Sequence, residues 1–251
     1  MSDSSAQPPE HRPALRASDA DRERVVDILR ERIARGQILP GTRLSEEAIS
    51  AALGVSRNTL REAFRLLSHE RLLVHQLHRG VFVRTLSAAD VSDLYRVRTL
   101  VECAAVRSLG RGGPGGQGLG GLETAVEAGC RAAREERWLD VGTADLAFHQ
   151  EIAALAGSAR IDELMRGVLA ELRLVFHVMR SPREFHEPYL ARNREILTRL
   201  QQGHHEAAVS ALESYLDDAE AQLLAAFAQS PGGASPASPR EWQVPHDATR
   251  A

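Results

Sequence analysis

The stretch LGVSRNTLREAF, residues 53–64, decides the fold of the first third of the chain. Gly54 interrupts one helical pattern, and Ser56 is a residue type that caps the start of a new helix. Leu60 and Phe64 recur four residues apart, so the new helix buries one side and exposes the other. The stretch therefore predicts two short helices joined by a tight turn.

Two arginines occupy the exposed side of the second of these helices. Arg57 and Arg61 lie on one face near the positive end of the helix dipole, which attracts phosphate. A guanidinium group also matches guanine in a DNA groove, where a good bidentate pair discriminates bases by ~1–3 kcal/mol. The alternative is a solvated helix face with Glu62 and Glu70 as ion partners, and the spacing alone leaves both interpretations open.

The flanking patterns complete a small domain. Residues 22–35 carry apolar side chains at helical spacing, residues 38–44 (ILPGTRL) predict a turn, and Ser45 begins the helix that ends at Gly54. The alternation in residues 74–84 predicts two short strands. Three helices and a two-stranded wing form a winged helix-turn-helix, the geometry that places one helix in a DNA major groove.

The rest of the chain predicts helices only. The patterns indicate about six of them, at residues 88–109, 121–138, 140–156, 159–180, 185–202 and 204–228. The glycine-rich stretch 110–121 predicts a mobile loop between the first two. The fold class is thus mainly α, and we expect a disordered arm (1–17), a winged helix-turn-helix head (18–86), an all-helical body (87–229) and a disordered tail (230–251).

Charge divides the chain in the same way. All 31 basic residues are arginine, so their number reflects a general choice of arginine over lysine and only their position is informative. Residues 11–86 hold 14 arginines against 9 acidic residues, whereas residues 87–229 hold 15 against 21. A basic head on an acidic body suggests a polyanionic partner for the head alone.

Several classes of protein are disfavoured. No run of eighteen apolar residues occurs, and the N-terminus lacks a signal-peptide pattern, so we expect a cytoplasmic protein without a membrane partner. Cys103 and Cys130 match neither a disulfide framework nor a metal knuckle.

The head resembles the N-terminal domain of GntR-family bacterial transcription regulators. The likeness runs through ILPGTRLSEEAISAALGVSRNTLREAFRLLSHERLL (38–73) and HRGVFV (78–83). It favours DNA binding over a solvated arginine face. The DNA contacts that the resemblance implies are Ser56, Arg57, Asn58, Thr59, Arg61, Arg79 and Gly80.

The body is similar to the FCD effector domain of the FadR-like branch of that family. The segments DLYRVRTLVECAAVRSL (93–109) and ADLAFHQEIAALAGSARI (144–161) carry the likeness, together with the last two predicted helices. The resemblance implies a bundle around a cavity in which a divalent metal, held by one Asp and three His, helps to bind a small carboxylate.

This chain departs from that ligand set. Asp145 and His149, at i and i+4 on one helix face, match the first two ligands, but Asn193 and Tyr215 replace two histidines. A neutral amide is a weak ligand and a phenol binds well only when deprotonated, so we expect at most weak binding of a zinc- or nickel-type ion. His149, Asn193 and Tyr215 would instead form a hydrogen-bonding effector site. Arg98 has two possible roles: it binds the carboxylate of the effector, or it forms an ion pair with Glu102 on an exposed face.

We expect a ligand-responsive regulator, acting as a repressor, that binds a palindromic DNA operator as a homodimer and responds to a small organic acid. Two alternatives remain. One is a DNA-binding protein without ligand control. The other is a metal-dependent hydrolase or lyase built on Asp145 and His149, which lacks a third strong ligand and a placed nucleophile.

Overall fold

The computed structural model describes residues 13–109, 118–176, 179, 181–229 and 242 of the chain. No helix within these residues is long and apolar enough to cross a lipid bilayer. The elements, in chain order, are α1 (Pro13–Ala34), β1 (Arg43–Leu44), α2 (Glu46–Leu53), α3 (Arg57–His69), β2 (Leu73–Gln76), β3 (Gly80–Val83), α4 (Ala88–Leu109), α5 (Gly120–Arg134), α6 (Trp138–Ala154), α7 (Ala159–Val175), α8 (Pro182–Gln201) and α9 (His205–Gln229). This order confirms the predicted fold class.

Helix α1 begins earlier than the sequence pattern indicates. It starts at Pro13, so the expectation of disorder is wrong for residues 13–17, while residues 1–12 lie outside the described part. Proline is favoured in the first turn of a helix, and alanine, leucine and arginine have high helix propensity. High helix propensity therefore extends α1 toward the N-terminus, beyond the amphipathic segment at residues 22–35.

The helix-turn-helix is built as predicted. The Ser56 hydroxyl accepts a hydrogen bond from the Thr59 backbone N–H at 3.1 Å and caps α3. Gly54 ends α2 in the left-handed conformation with φ of 64°, which a residue with a Cβ rarely adopts. Leu60 and Phe64 are buried beneath α3, so the opposite side of that helix is left to solvent.

The wing has three strands, not the predicted two. Strand β3 lies between β1 and β2, and both neighbours are antiparallel to it. Arg43 of β1 pairs with Phe82 of β3, so the last two residues of the predicted turn at 38–44 form a strand instead. A two-residue strand is too short to show an alternating pattern. Its hydrogen bonds go to β3, about forty residues away in the chain, so the local sequence does not reveal it.

The body is a six-helix bundle that follows the predicted pattern to within a few residues at each helix end. Its core includes Phe148, Ile152, Met165 and Leu212, none of which is exposed. Helix α5 begins at Gly120, so the predicted loop 110–121 is wrong for its last two residues, and residues 110–117 lie outside the described part.

A buried carboxylate joins head and body. Glu171 of α7 is only 4% exposed, and its two oxygens lie 3.3 Å from Arg71 Nη1 and 3.2 Å from Arg84 Nη1. Arg71 comes two residues after the end of α3, and Arg84 is the residue after β3. The body therefore holds both the end of the exposed helix and the end of the wing through one side chain.

Trp242 also packs on the head. It is 8% exposed, its backbone N–H donates to the Arg43 carbonyl at 3.2 Å, and Arg32 lies 5.0 Å from its ring centroid. The expected disorder of the tail 230–251 is thus wrong at this residue, because an indole provides enough apolar area to dock. The other residues of that segment lie outside the described part.

Candidate functional site: an exposed helix and a buried polar core

The first turn of α3 presents two polar side chains to solvent. Arg57 and Asn58 are exposed, and neither makes a hydrogen bond or ion pair to another described residue. The capped N-terminus of α3 adds the positive end of the helix dipole at the same place. This end of the helix can therefore receive an anionic or hydrogen-bonding partner without first breaking internal contacts.

Arg61, one turn further along, is paired. Its Nε donates to Glu46 Oε2 at 2.9 Å, a carboxylate on α2 that the sequence interpretation did not consider. Arg65 pairs with Glu62 at 2.6 Å. Because the Arg61 side chain is 60% exposed, this ion pair is weak and can be exchanged for a phosphate contact.

Ser56 and Thr59 serve the helix itself. Their hydroxyl oxygens lie 2.8 Å apart, in addition to the capping bond from the Thr59 N–H. These two hydroxyls thus fix where α3 begins, and a partner molecule meets groups that are already hydrogen-bonded.

The tip of the wing carries further cations. Arg79 is exposed and its guanidinium carbon lies 5.6 Å from the centre of the Phe82 ring. Gly80 has φ of 101°, and a Cβ there would come within 3.4 Å of Arg43 Nε. The positive φ is thus what favours glycine at this position, which lies against the Arg43 side chain. Leu77, 79% exposed, projects from the same tip.

A second group of polar residues lies inside the body, and we call it the polar core. Its members come from helices α4, α6, α8 and α9: Arg98, Glu102, Asp145, His149, Asn193 and Tyr215. All but Asp145 are buried, with exposed fractions of 5% or less. The structure thus brings together every effector-site residue that the sequence analysis names.

Glu102 organises one half of the polar core. Its Oε1 accepts from Arg98 Nε at 2.9 Å, and its Oε2 lies 2.6 Å from His149 Nδ1. Burial alone would raise the pKa of Glu102, but His149 and Arg98 outweigh it and lower that pKa, so Glu102 is an anion. The Arg98–Glu102 ion pair, one of the two alternatives for Arg98, therefore exists, but it is buried and does not lie on an exposed face.

Asp145 organises the other half. Its Oδ1 accepts hydrogen bonds from Asn193 Nδ2 and from the Tyr215 hydroxyl, each at 2.7 Å. Burial, and next the charge of Asp145, raise the pKa of Tyr215 well above its ordinary value. The phenol therefore keeps its proton and acts as a donor. The rings of His149 and Tyr215 meet edge to face, 4.8 Å apart, and link the two halves.

Two family models match the chain. Residues 21–83 match the model described as "Bacterial regulatory proteins, gntR family", and residues 93–218 match the "FCD domain". A crystal structure of a GntR transcriptional regulator from Rhodococcus sp. RHA1 is 49% identical, covers 83% of this chain and 99% of that chain, and superposes with a TM-score of 0.76. The chain belongs to the gntR family.

Relatives of known sequence agree with that membership. An HTH-type transcriptional regulator of Streptomyces ambofaciens is 29% identical over 198 residues, 75% of this chain and 78% of the relative. The HTH-type transcriptional repressor RspR of Escherichia coli K12 is 38% identical over 85 residues, 34% of this chain and 37% of RspR. Several curated relatives are matched over only about a third of their length. The gntR family comprises DNA-binding regulators and not enzymes, so the hydrolase or lyase interpretation is wrong.

The polar core of this GntR protein does not fit the divalent metal that FCD domains imply. Asp145 Oδ1 already accepts from both residues that replace the family histidines, and the protonated Tyr215 has no charge to offer an ion. His149 still has Nε2 available as a ligand, because only its Nδ1 is held by Glu102, but one imidazole beside an occupied carboxylate oxygen is too few ligands for a tight site. Among the described residues, no three His, Cys, Asp or Glu side chains come together as metal ligands would.

The role of Glu102 is not evident from the sequence. Its spacing of four from Arg98 signals an ion pair, but the spacing does not reveal that His149, 47 residues away, turns toward the same carboxylate. The Glu171 contact to the head was also missed, since nothing in α7 distinguishes that glutamate from an exposed one.

Proposed function

We propose that this GntR protein binds double-stranded operator DNA through its head, as a homodimer, and that a small molecule in its body controls the binding. The observation that carries the proposal is the exposed, unpaired Arg57 and Asn58 at the capped start of α3. In the winged helix-turn-helix, this end of the helix reads base edges while the wing contacts the sugar-phosphate backbone. Arg79 and Arg43 supply the cations for that second contact.

A homodimer follows from the way such heads read DNA. Two-fold symmetry of the protein is matched by an inverted repeat, with one head per half-site. An apolar strip on the outside of α4 supports self-association through the body: Leu100 is 69% exposed, with Val97, Val101 and Ala104 beside it. By contrast Leu164, another exposed leucine, stands beside the charged Glu163 on α7.

Control by a small molecule requires a link between the polar core and the head. Glu171 supplies one, because α7 packs against α4 and α6 of the polar core and Glu171 contacts Arg71 and Arg84. The linker around residues 84–92 is the other connection. A ligand changes DNA binding only if it has unequal affinities for the two arrangements of the heads.

Repression is the direction that we propose. RspR and the gluconate operon repressor of Bacillus licheniformis, each similar to about a third of this chain, are both repressors by name. The carboxylate effector expected from the sequence gains no support from the geometry, since Arg98 is already neutralised by Glu102.

A regulator without ligand control is the second candidate. It is favoured by one observation: the cavity between α5, α6 and α8, beside Asp145 and Asn193, has room for only about one water molecule. In that case the polar core is structural, and DNA binding does not respond to metabolites.

A footprint on the DNA upstream of the chain's own gene tests the DNA-binding function. We expect protection of an inverted repeat whose half-sites are centred about 10 base pairs, or a multiple, apart. Protection that is uniform along the fragment, or equal on a scrambled duplex, contradicts specific operator binding.

A further inference from the structure

Three polar atoms of the polar core have no hydrogen-bond partner within the described part of the chain. They are Arg98 Nη2, His149 Nε2 and Asn193 Oδ1. Their side chains are 2%, 0% and 5% exposed, so bulk water does not reach them. Buried polar groups in proteins are nearly always paired with protein, ligand or ordered water, so three such groups in one connected cluster mark a place where a polar ligand could replace water.

The direction of each free group is fixed by its bonded neighbour. Asn193 turns its nitrogen toward the Asp145 carboxylate, so its oxygen is left as a free acceptor. Arg98 uses Nε on Glu102 and leaves Nη2 as a free donor. His149 directs Nδ1 to Glu102, and its Nε2 is the third free position. The polar core thus offers both a donor and an acceptor.

The charges of the polar core are already balanced or negative. Arg98 is matched by Glu102, and the donors to Asp145 are a neutral amide and a protonated phenol. The neighbouring cation Arg192, above the Tyr215 ring, is paired with Asp218 at 2.8 Å. A carboxylate ligand would therefore be buried beside Asp145 with no unpaired cation among the polar-core residues, which is unfavourable.

We propose that the polar core binds an uncharged polar ligand that presents a hydrogen-bond acceptor to Arg98 and a donor to Asn193, as a carboxamide does. This inference rests on the proposed ligand control and replaces the expected carboxylate with a neutral compound. A small cavity borders the site at Asp145 and Asn193, and in the present conformation it has room for only about one water molecule. A ligand larger than a water molecule needs a conformation in which α5 and α8 are further apart, so its binding would increase the population of that conformation.

The chain offers a selective probe for this proposal, because Asn58 and Asn193 are its only two asparagines. Labelling asparagine side chains with nitrogen-15 gives one signal from the exposed start of α3 and one from the polar core. The probes are acetamide and acetate, which have nearly the same shape and differ in charge. Each is titrated into the full-length protein, and the operator duplex is added in a separate sample.

We expect acetamide to shift the Asn193 side-chain signal in a saturable way and to bind at least about tenfold more tightly than acetate, which pays for desolvation without a free cation. Asn58 should not respond to either compound. Tighter binding of acetate overturns the neutral ligand class but leaves ligand control in place. If neither compound moves Asn193, the free atoms serve only ordered water and the inference fails.

The two asparagine signals report DNA binding and ligand binding separately. A shift of Asn58 on addition of operator DNA reports the proposed DNA contact whatever Asn193 does. The Glu102→Gln variant supplies a second arm, because it leaves the charge of Arg98 unbalanced. We expect the preference for acetamide over acetate to fall or reverse in that variant, and an unchanged preference contradicts the role of charge. Glu163→Gln, an exposed change on α7, is the matched control.

Discussion

We expect DNA recognition to depend most on Arg57. Its neighbour Arg61 is tied to Glu46 and Arg65 to Glu62, whereas Arg57 is unpaired within the described residues and stands beside the helix dipole. An unpaired arginine forms a bidentate contact without losing an ion pair. We therefore expect the unpaired Arg57 side chain to contribute more to DNA binding than Arg61 or Arg65.

The Arg57→Ala variant should lose specific operator binding by roughly tenfold or more, as expected for a contact worth ~1–3 kcal/mol. Fluorescence anisotropy on the operator measures the loss. The melting temperature should stay the same, because exposed side chains contribute little to stability. Arg96→Ala, which removes an exposed arginine of α4, is the control. Wild-type affinity in Arg57→Ala would overturn the assignment.

Asn193 and Tyr215 decide whether the polar core binds metal. Both reach the same oxygen of Asp145, so imidazoles at these two positions would converge on one point. The double variant Asn193→His with Tyr215→His should gain tight zinc binding, seen by calorimetry, while each single variant gains less. If the double variant binds zinc no better than wild type, the two helices do not converge as the hydrogen bonds indicate.

Among the secondary-structure elements, local sequence patterns predict the helices correctly but do not predict the contacts between distant segments. The spacing of Leu60 and Phe64 predicts α3, and the structure confirms it, because amphipathic spacing is a property of one segment. Strand β1 depends on β3, and the burial of Glu102 depends on α6. A contact between two segments that are distant in the sequence produces no periodic pattern in either segment.

Helix α7 is the element that connects body to head. Glu171→Gln removes the charge that holds Arg71 and Arg84, so the head should dock less firmly. We expect a loss of about 1–3 kcal/mol in docking, modest because Arg71 is largely exposed, and faster hydrogen exchange in residues 84–87. Hydrogen-exchange mass spectrometry checks this. The control is Glu163→Gln on the same helix, and equal exchange in both variants would show that Glu171 is not a coupling contact.

At the scale of the whole molecule, the chain returns to its head after the last helix. The end of α9 lies in the body, yet Trp242 packs beside Arg32 and Arg43. The linker and Glu171 therefore connect head and body, and Trp242 makes a third contact, which joins a residue beyond α9 to the head. A basic head on an acidic body also keeps the attraction for DNA at one end of the molecule.

Replacing Trp242 tests the third of these connections. The Trp242→Ala variant should lower the free energy of unfolding by roughly 1–3 kcal/mol, less than for a fully buried aromatic residue because the site is peripheral. Urea denaturation followed by circular dichroism measures it. Trp242→Phe, which keeps an aromatic ring, should lose less than half as much. An unchanged midpoint in Trp242→Ala would show that the contact does not stabilise the head.

The proposed function requires that the head binds DNA and that the body pairs two chains. Sedimentation velocity with a labelled duplex from the upstream region of the gene measures both properties at once. The account predicts a dimer at micromolar concentration and a complex of two chains per duplex that a random duplex does not form. A monomer that sediments in the same way with both duplexes would contradict it.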